Sequence, residues 1–260
     1  MNPAVALPAD RAPEAEVRMT FVEHLEELRL RLFRSTVAFA AMLVVSMCFY
    51  REMVDVVTLP HFRAMAMLPR PPSHLEFVAI SYTAPVVSMM KLAMIVGVFL
   101  ASPVIGYQLW AFVRGGLHLN ERRAATAFAP ASFLLFVLGC VFGYFVLIPY
   151  ALFGMANMLP VDKVQPLFAF AEYLDLVTTM TILLGAIFQL PLVMVLLSRL
   201  GVVRPSSYRR WRRNAVVANL VLAGILSPPD LLSMFAFAVP LLLLYEAGIV
   251  AARLAVPETK

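Results

Sequence analysis

The chain alternates long apolar runs with short charged ones, and the first charged run is the sequence "FVEHLEELRLRLF" at residues 21–33. At about 3.6 residues per turn, Phe21, Leu25, Leu28 and Leu32 share one stripe, while Glu23, Glu27, Arg31 and Arg34 share the opposite one. The spacing predicts an amphipathic helix lying on a membrane surface, with Thr20 as N-cap and Glu23 closing a capping box. The apolar runs that follow predict spans over 35–50, 84–108, 124–148, 174–197, 214–226 and 231–252. Residues 51–83, with "LPHF" and "LPRPP", read as a long loop. The second span contains Lys91 and Pro103, and the third carries Gly139-x-x-x-Gly143, a spacing that lets helices approach closely.

One span is too short. About 13 residues make ~20 Å of helix against a hydrocarbon core of ~30 Å. Pro228 and Pro229 stop it, so either the bilayer thins locally or "SPPD" is buried below the outer surface and shielded by protein, which would put Asp230 at or near membrane depth. A carboxylate there is expensive and by default functional.

Composition agrees with the spans. The 260 residues are 62% hydrophobic and 14% charged, against roughly 25% charged in a soluble domain. The expected fold is therefore all-α, a polytopic integral membrane protein. The net charge of +5 comes from arginines in short loops. Arg29, Arg31, Arg34, Arg114, Arg122, Arg123 and the run from Arg199 to Arg213 lie on one side; Arg51, Arg63, Arg70 and Lys163 lie on the other. This bias places both termini in the cytoplasm. No basic–aromatic module points to nucleic acid. Cys48 and Cys140 fall inside apolar runs without ligand spacing and are expected as buried free thiols. Residues 1–19 read as a disordered cytoplasmic tail without an apolar leader core, 20–254 as the membrane domain, and 255–260 as a second tail.

Candidate chemistry is sparse. No Walker loop, G-x-S-x-G or H-E-x-x-H occurs, and the histidines His24, His61, His74 and His118 are scattered, so an enzyme is not expected. Glu27 and Glu121 are acidic residues on the arginine-rich side, a pattern suited to binding a cation, since carboxylates hold a guanidinium through bidentate hydrogen bonds. Simpler readings stand beside this one: Glu27 paired with Arg31 one turn on, and Glu121 opening a helix after an Asn120 cap. Gln189 lies mid-span beside Pro191, in a run made polar by Thr178, Thr179 and Thr181. Its amide needs a partner, from this chain or from another helix. A secondary transporter is the alternative function, but it predicts internal repeats, and none is evident between the halves.

Seven stretches in order resemble the TatC family of twin-arginine protein translocase subunits. They are "FVEHLEELRLRL", "SYTAPVVSMMKL", "LASPVIGYQLWAFVRGGLHLNERR", "FGYFVLIPYALF", "EYLDLVTTMTILLGAIFQLPLVMVLLSRLGVV", "RRNAVVANLVLAGILSPPD" and "VPLLLLYEAGI". The resemblance implies six spans in a concave, glove-like arrangement in the bacterial cytoplasmic (inner) membrane. It implies a receptor that binds twin-arginine signal peptides of folded cargo and exports the cargo using the proton motive force. The implied partners are the single-span proteins TatA and TatB, membrane lipid, and further copies of the chain within a larger complex; no cofactor is implied. Carried over position by position, Glu27, Arg29, Phe112 and Glu121 match the signal-recognition positions. Gln189, with Thr178 and Thr181, matches a polar mid-membrane site facing partner helices. Pro60, Pro103 and Asp230 match sensitive structural or functional positions. Two departures stand out. Gln189 occupies a position where many members have a titratable glutamate, and Gly115 one where proline is common.

Overall fold

The computed structural model describes residues 21–69, 71–72, 75–115, 119–160, 166–227 and 231–256, with side chains for all of these except Phe21, 115, 119–127 and Leu232. Thr20, Asp230, most of the two tails and the side chain of Glu121 therefore lie outside the described residues. The architecture is helical, as expected, and its first helix corrects the sequence reading. Helix α1 runs unbroken over Phe21–Cys48, so the amphipathic segment and the first span are one rod. No Gly or Pro interrupts these 28 residues, and nothing in the sequence breaks the backbone ladder between Arg34 and Ser35. Its polarity is also turned inward. Leu25, Leu28 and Leu32 are 48%, 41% and 65% exposed, while His24, Glu27, Arg31 and Ser46 line the inner face. Lipid tolerates leucine as well as a core does, so in a membrane the polar side chains seek protein partners. The partner is α3, Ala84–Gly115. Gly97 brings the two helices together: a Cβ there would lie 3.2 Å from the Leu43 backbone.

A second correction follows at once. The expected loop holds a helix, α2, over Tyr50–Ala66, with Pro60 buried inside it. Proline removes the hydrogen bond that the carbonyl four residues earlier would accept. Here that carbonyl belongs to Val56, and the Tyr144 hydroxyl donates to it instead. The Tyr173 hydroxyl donates to the neighbouring Val57 carbonyl. Two tyrosines thus pin α2 to the bundle at the point proline weakens. Below it, His61 is 1% exposed and donates from Nε2 to the Leu75 carbonyl at 3.2 Å. Rings of Phe77, Phe168 and Tyr173 surround it. Two short strands, β1 (Phe77–Val78) and β2 (Phe168–Ala169), pair in parallel and tie the flanking segments together.

The same solution recurs in α3. Pro103 frees the Phe99 carbonyl, and the Ser102 hydroxyl donates to it at 2.6 Å. The third span is α4 (Leu119–Phe142), a π turn (Gly143–Leu147) and α5 (Ile148–Asn157) in series. The fourth is broken: α6 (Phe170–Ile187) ends at Phe188, and α7 (Leu190–Arg199) begins after Gln189. Pro191 has no N–H to offer the Ile187 carbonyl, and at the same break the Gln189 backbone N–H bonds the Ala186 carbonyl, three residues back, at 3.0 Å. Gly201, at φ +69, closes α7 as a left-handed cap, with the Val202 amide bonded to the Leu197 carbonyl.

The glycine spacing read from the sequence does what it predicts. A Cβ on Gly139 would stand 2.7 Å from the Leu184 carbonyl oxygen, and one on Gly143 2.7 Å from the Leu184 Cδ1. Gly185 replies from α6, where a Cβ would sit 2.6 Å from the Phe136 ring. After the short α8 (Pro205–Arg210) come α9 (Arg212–Leu226) and α10 (Leu231–Ala255). Among the described residues, five helices are long and apolar enough to span a membrane; α9, with 15 residues, is not one of them. Leu174, Ile148 and Phe237 are buried at the centre where α5, α6 and α10 meet. Cys140 is buried as expected, but Cys48 is exposed on α1, contrary to the expectation for both thiols.

Candidate functional site

The inward polar face of α1 builds a cluster at its base. His24, Glu27 and Arg31 fall one helical turn apart and therefore on one side. Gln108 and Phe112, four apart on α3, face them. Arg31 donates to Glu27 Oε1 from Nε at 2.9 Å and also from Nη2. Its Nη1 reaches Gln108 Oε1 at 3.3 Å. Both bonds to Glu27 thus fall on one carboxylate oxygen. The other, Oε2, is buried and has no hydrogen-bond partner among the described residues. The His24 Nδ1 lies 4.0 Å from it, too far for a hydrogen bond. The His24 ring stacks on Phe112 with centroids 4.3 Å apart and planes 16° apart.

The structure therefore brings Glu27 and Phe112 together, and it does so through His24, Arg31 and Gln108. The Glu27–Arg31 pair is the one the spacing offered in the sequence, whereas His24 and Gln108 did not enter the site from sequence. The His24–Glu27 spacing was the available signal. Arg29 points away and is exposed, so it does not join the cluster. Glu121 falls in the first turn of α4, whose start at Leu119 precedes the expected Asn120 cap by one residue; its side chain lies outside the described residues.

Deeper in the bundle, Gln189 has found its partner within the chain. Its Nε2 donates to the Ser132 carbonyl at 3.0 Å, and its Oε1 accepts from the Ser132 hydroxyl at 2.8 Å. Thr178 donates to the Leu174 carbonyl on its own helix. Thr181 Oγ1 is buried without a hydrogen-bond partner among the described residues. It lines an apolar cavity of about 460 Å³ with Val57, Phe99, Cys140 and Tyr144. Two ion pairs cross between helices. Lys91 on α3 meets Asp175 on α6 at 2.5 Å. Arg212 on α9 meets Glu246 on α10, also at 2.5 Å.

These features, apolar spanning helices with polar contacts turned inward, define a multi-pass integral membrane protein, and comparison with known proteins gives its class. The sequence pattern of the Sec-independent protein translocase protein (TatC) matches residues 23–240. TatCy of Bacillus subtilis is 34% identical over 92% of this chain and 90% of its own length. TatC of Koribacter versatilis is 34% identical over 98% of this chain and 93% of its own. A crystal structure of the twin-arginine translocase receptor TatC superposes with a TM-score of 0.75 at 31% identity, covering 89% of this chain and 99% of that one. The fold and the matches place the molecule among membrane components of protein translocases, not among enzymes. The chain belongs to the TatC family.

Proposed function

We propose that this chain is the receptor subunit of a twin-arginine translocation system, binding signal peptides of folded cargo at the base of α1 and α3. The observation that carries the reading is the buried Glu27 Oε2, without a hydrogen-bond partner among the described residues, linked to the ring of Phe112 by His24, which stacks on that ring and lies 4.0 Å from that oxygen. A buried carboxylate oxygen without a donor is unfavourable. A guanidinium supplies that donor and its flat face also suits an aromatic ring. In this reading Glu121 provides the second carboxylate from the start of α4. Arg29, exposed on the same rod, meets the peptide or a partner outside the seat. The apolar part of the leader then enters between helices.

The arginine bias places both termini in the cytoplasm, and α9 makes the sixth crossing in a locally thinned bilayer. The single-span partners TatA and TatB pack against the polar region of α6, where Thr181 has an unused hydroxyl. Gln189 keeps a second amide hydrogen and a second lone pair for such a helix. Pro60 and Pro103 shape the helices that present these faces, and Asp230 ends the short crossing. The proton motive force drives transport, and several copies assemble with the partners.

The test is capture of a synthetic twin-arginine peptide by the purified full chain. Glu27→Gln keeps the side chain's shape but removes its charge. A hydrogen bond to a charged group is worth roughly 1.5–3 kcal/mol, so the dissociation constant should rise about tenfold or more, and Glu121→Gln should compound the loss. Unchanged capture in the double variant refutes the site.

A further inference from the structure

The seat that Glu27 and Phe112 form is not open: His24 sits in it. Its ring lies flat on Phe112, 4.3 Å between centroids and 16° from parallel. Its Nδ1 is directed at Glu27 Oε2 from 4.0 Å without reaching it. That oxygen is buried and lacks a donor among the described residues. Arg31 meanwhile holds the other oxygen, and Gln108 holds Arg31. Arg31 thus fixes the carboxylate in orientation, with its unbonded oxygen on the side of the His24 ring.

We infer that His24 is a resident stand-in for a cargo arginine, occupying the stacking place on Phe112 and screening Glu27 Oε2 until a signal peptide displaces it. The inference rests on the receptor reading above and adds to it a residue that sets affinity. Imidazole and guanidinium are both flat and both stack on aromatic faces. They differ in what they offer the carboxylate: His24 leaves Oε2 unbonded, whereas a guanidinium is long enough and rich enough in donors to bond it while stacked. The exchange is therefore favourable for arginine. A lysine, with a compact ammonium and no flat face, replaces only half of what the imidazole gives up.

A site closed for part of the time binds more weakly by the fraction of time it is open. Removing the occupant should therefore tighten binding. His24→Ala deletes the ring. His24→Phe keeps a ring on Phe112 and so keeps the seat covered. The His24 side chain is 35% exposed, so neither change opens a cavity in the core.

The experiment measures the dissociation constant of a labelled twin-arginine peptide on the detergent-purified full chain, as wild type, His24→Ala, His24→Phe and Glu27→Gln. One aromatic stack corresponds to about a two- to tenfold change. The expected result is tightening by that factor in His24→Ala, no tightening in His24→Phe, and weakening in Glu27→Gln. If Glu27→Gln weakens binding but His24→Ala is unchanged or weaker, His24 merely supports the site and the inference is overturned alone. If Glu27→Gln binds as well as wild type, the receptor reading fails and the stand-in fails with it.

Discussion

Gln189 shows how far a single residue could be read. An amide in mid-membrane demands a partner, and that demand was legible. Which partner was not, because Ser132 is 57 positions away and nothing local distinguishes it from the other hydroxyls of the spans. The pair gives a clear expectation. Ser132→Ala removes the hydroxyl that Gln189 Oε1 accepts from and leaves the backbone bond in place. Side-chain hydrogen bonds in membranes average about 0.6 kcal/mol, so melting in detergent should fall by no more than a few degrees, while Gln189→Leu, which loses both bonds, should fall further. Equal melting of all three proteins would show that the pair contributes nothing. The base of α1 was half legible. Glu27 stands out as an acid among arginines and Phe112 through the motif resemblance, while His24 does not, because its importance depends on a ring from another helix.

At the scale of elements, the α4–α6 seam was readable and α2 was not, for related reasons. Gly139 and Gly143 carry their meaning in their spacing, which is local. Gly139→Ala should separate the helices, since the new methyl would press on the Leu184 carbonyl oxygen at 2.7 Å and backbone cannot rotate away. Overpacking of this type costs about 1–3 kcal/mol. Loss of thermal stability is the readout, and a variant that melts like the wild type contradicts the contact. Pro60, by contrast, reads locally as a helix breaker. What offsets it is a hydroxyl from Tyr144, 88 residues from the Val56 carbonyl it bonds, which no window along the chain contains. The continuity of α1 is hidden for the opposite reason: the change from charged to apolar signals two environments, and one unbroken helix crosses both.

At the scale of the molecule, helix type, the location of most spans and the membrane class were legible because hydropathy decides them. The cap formed by α2 and the strand pair was not, since its cohesion is tertiary. Its docking on the bundle should depend on pH. Burial holds the His61 imidazole below its ordinary value of 6.5, more strongly than its bond to the Leu75 carbonyl raises it. The folded protein therefore binds this proton less readily than the unfolded chain, and stability is lost as pH falls through 6.5. Glu172 lines a pocket together with His61, Glu76 directly precedes β1, and α2 itself carries Arg51, Glu52, Asp55 and Arg63. His61→Gln keeps a donor for Leu75 without titrating. The drop in melting temperature between pH 7.5 and 5 should be smaller in that variant, and an identical drop would clear His61 of any part in it. Finally, the unbroken rod of α1 acts as a ruler. From Glu27 to Arg34, the last charge before the apolar run, is seven helical positions, ~10 Å at 1.5 Å each. An extended leader covers that distance in about three residues. In the receptor proposed above, cargo whose oily stretch begins much further from its arginines would be stretched or slack at the lipid boundary, so that the stiffness of one helix would set the grammar of an acceptable passenger.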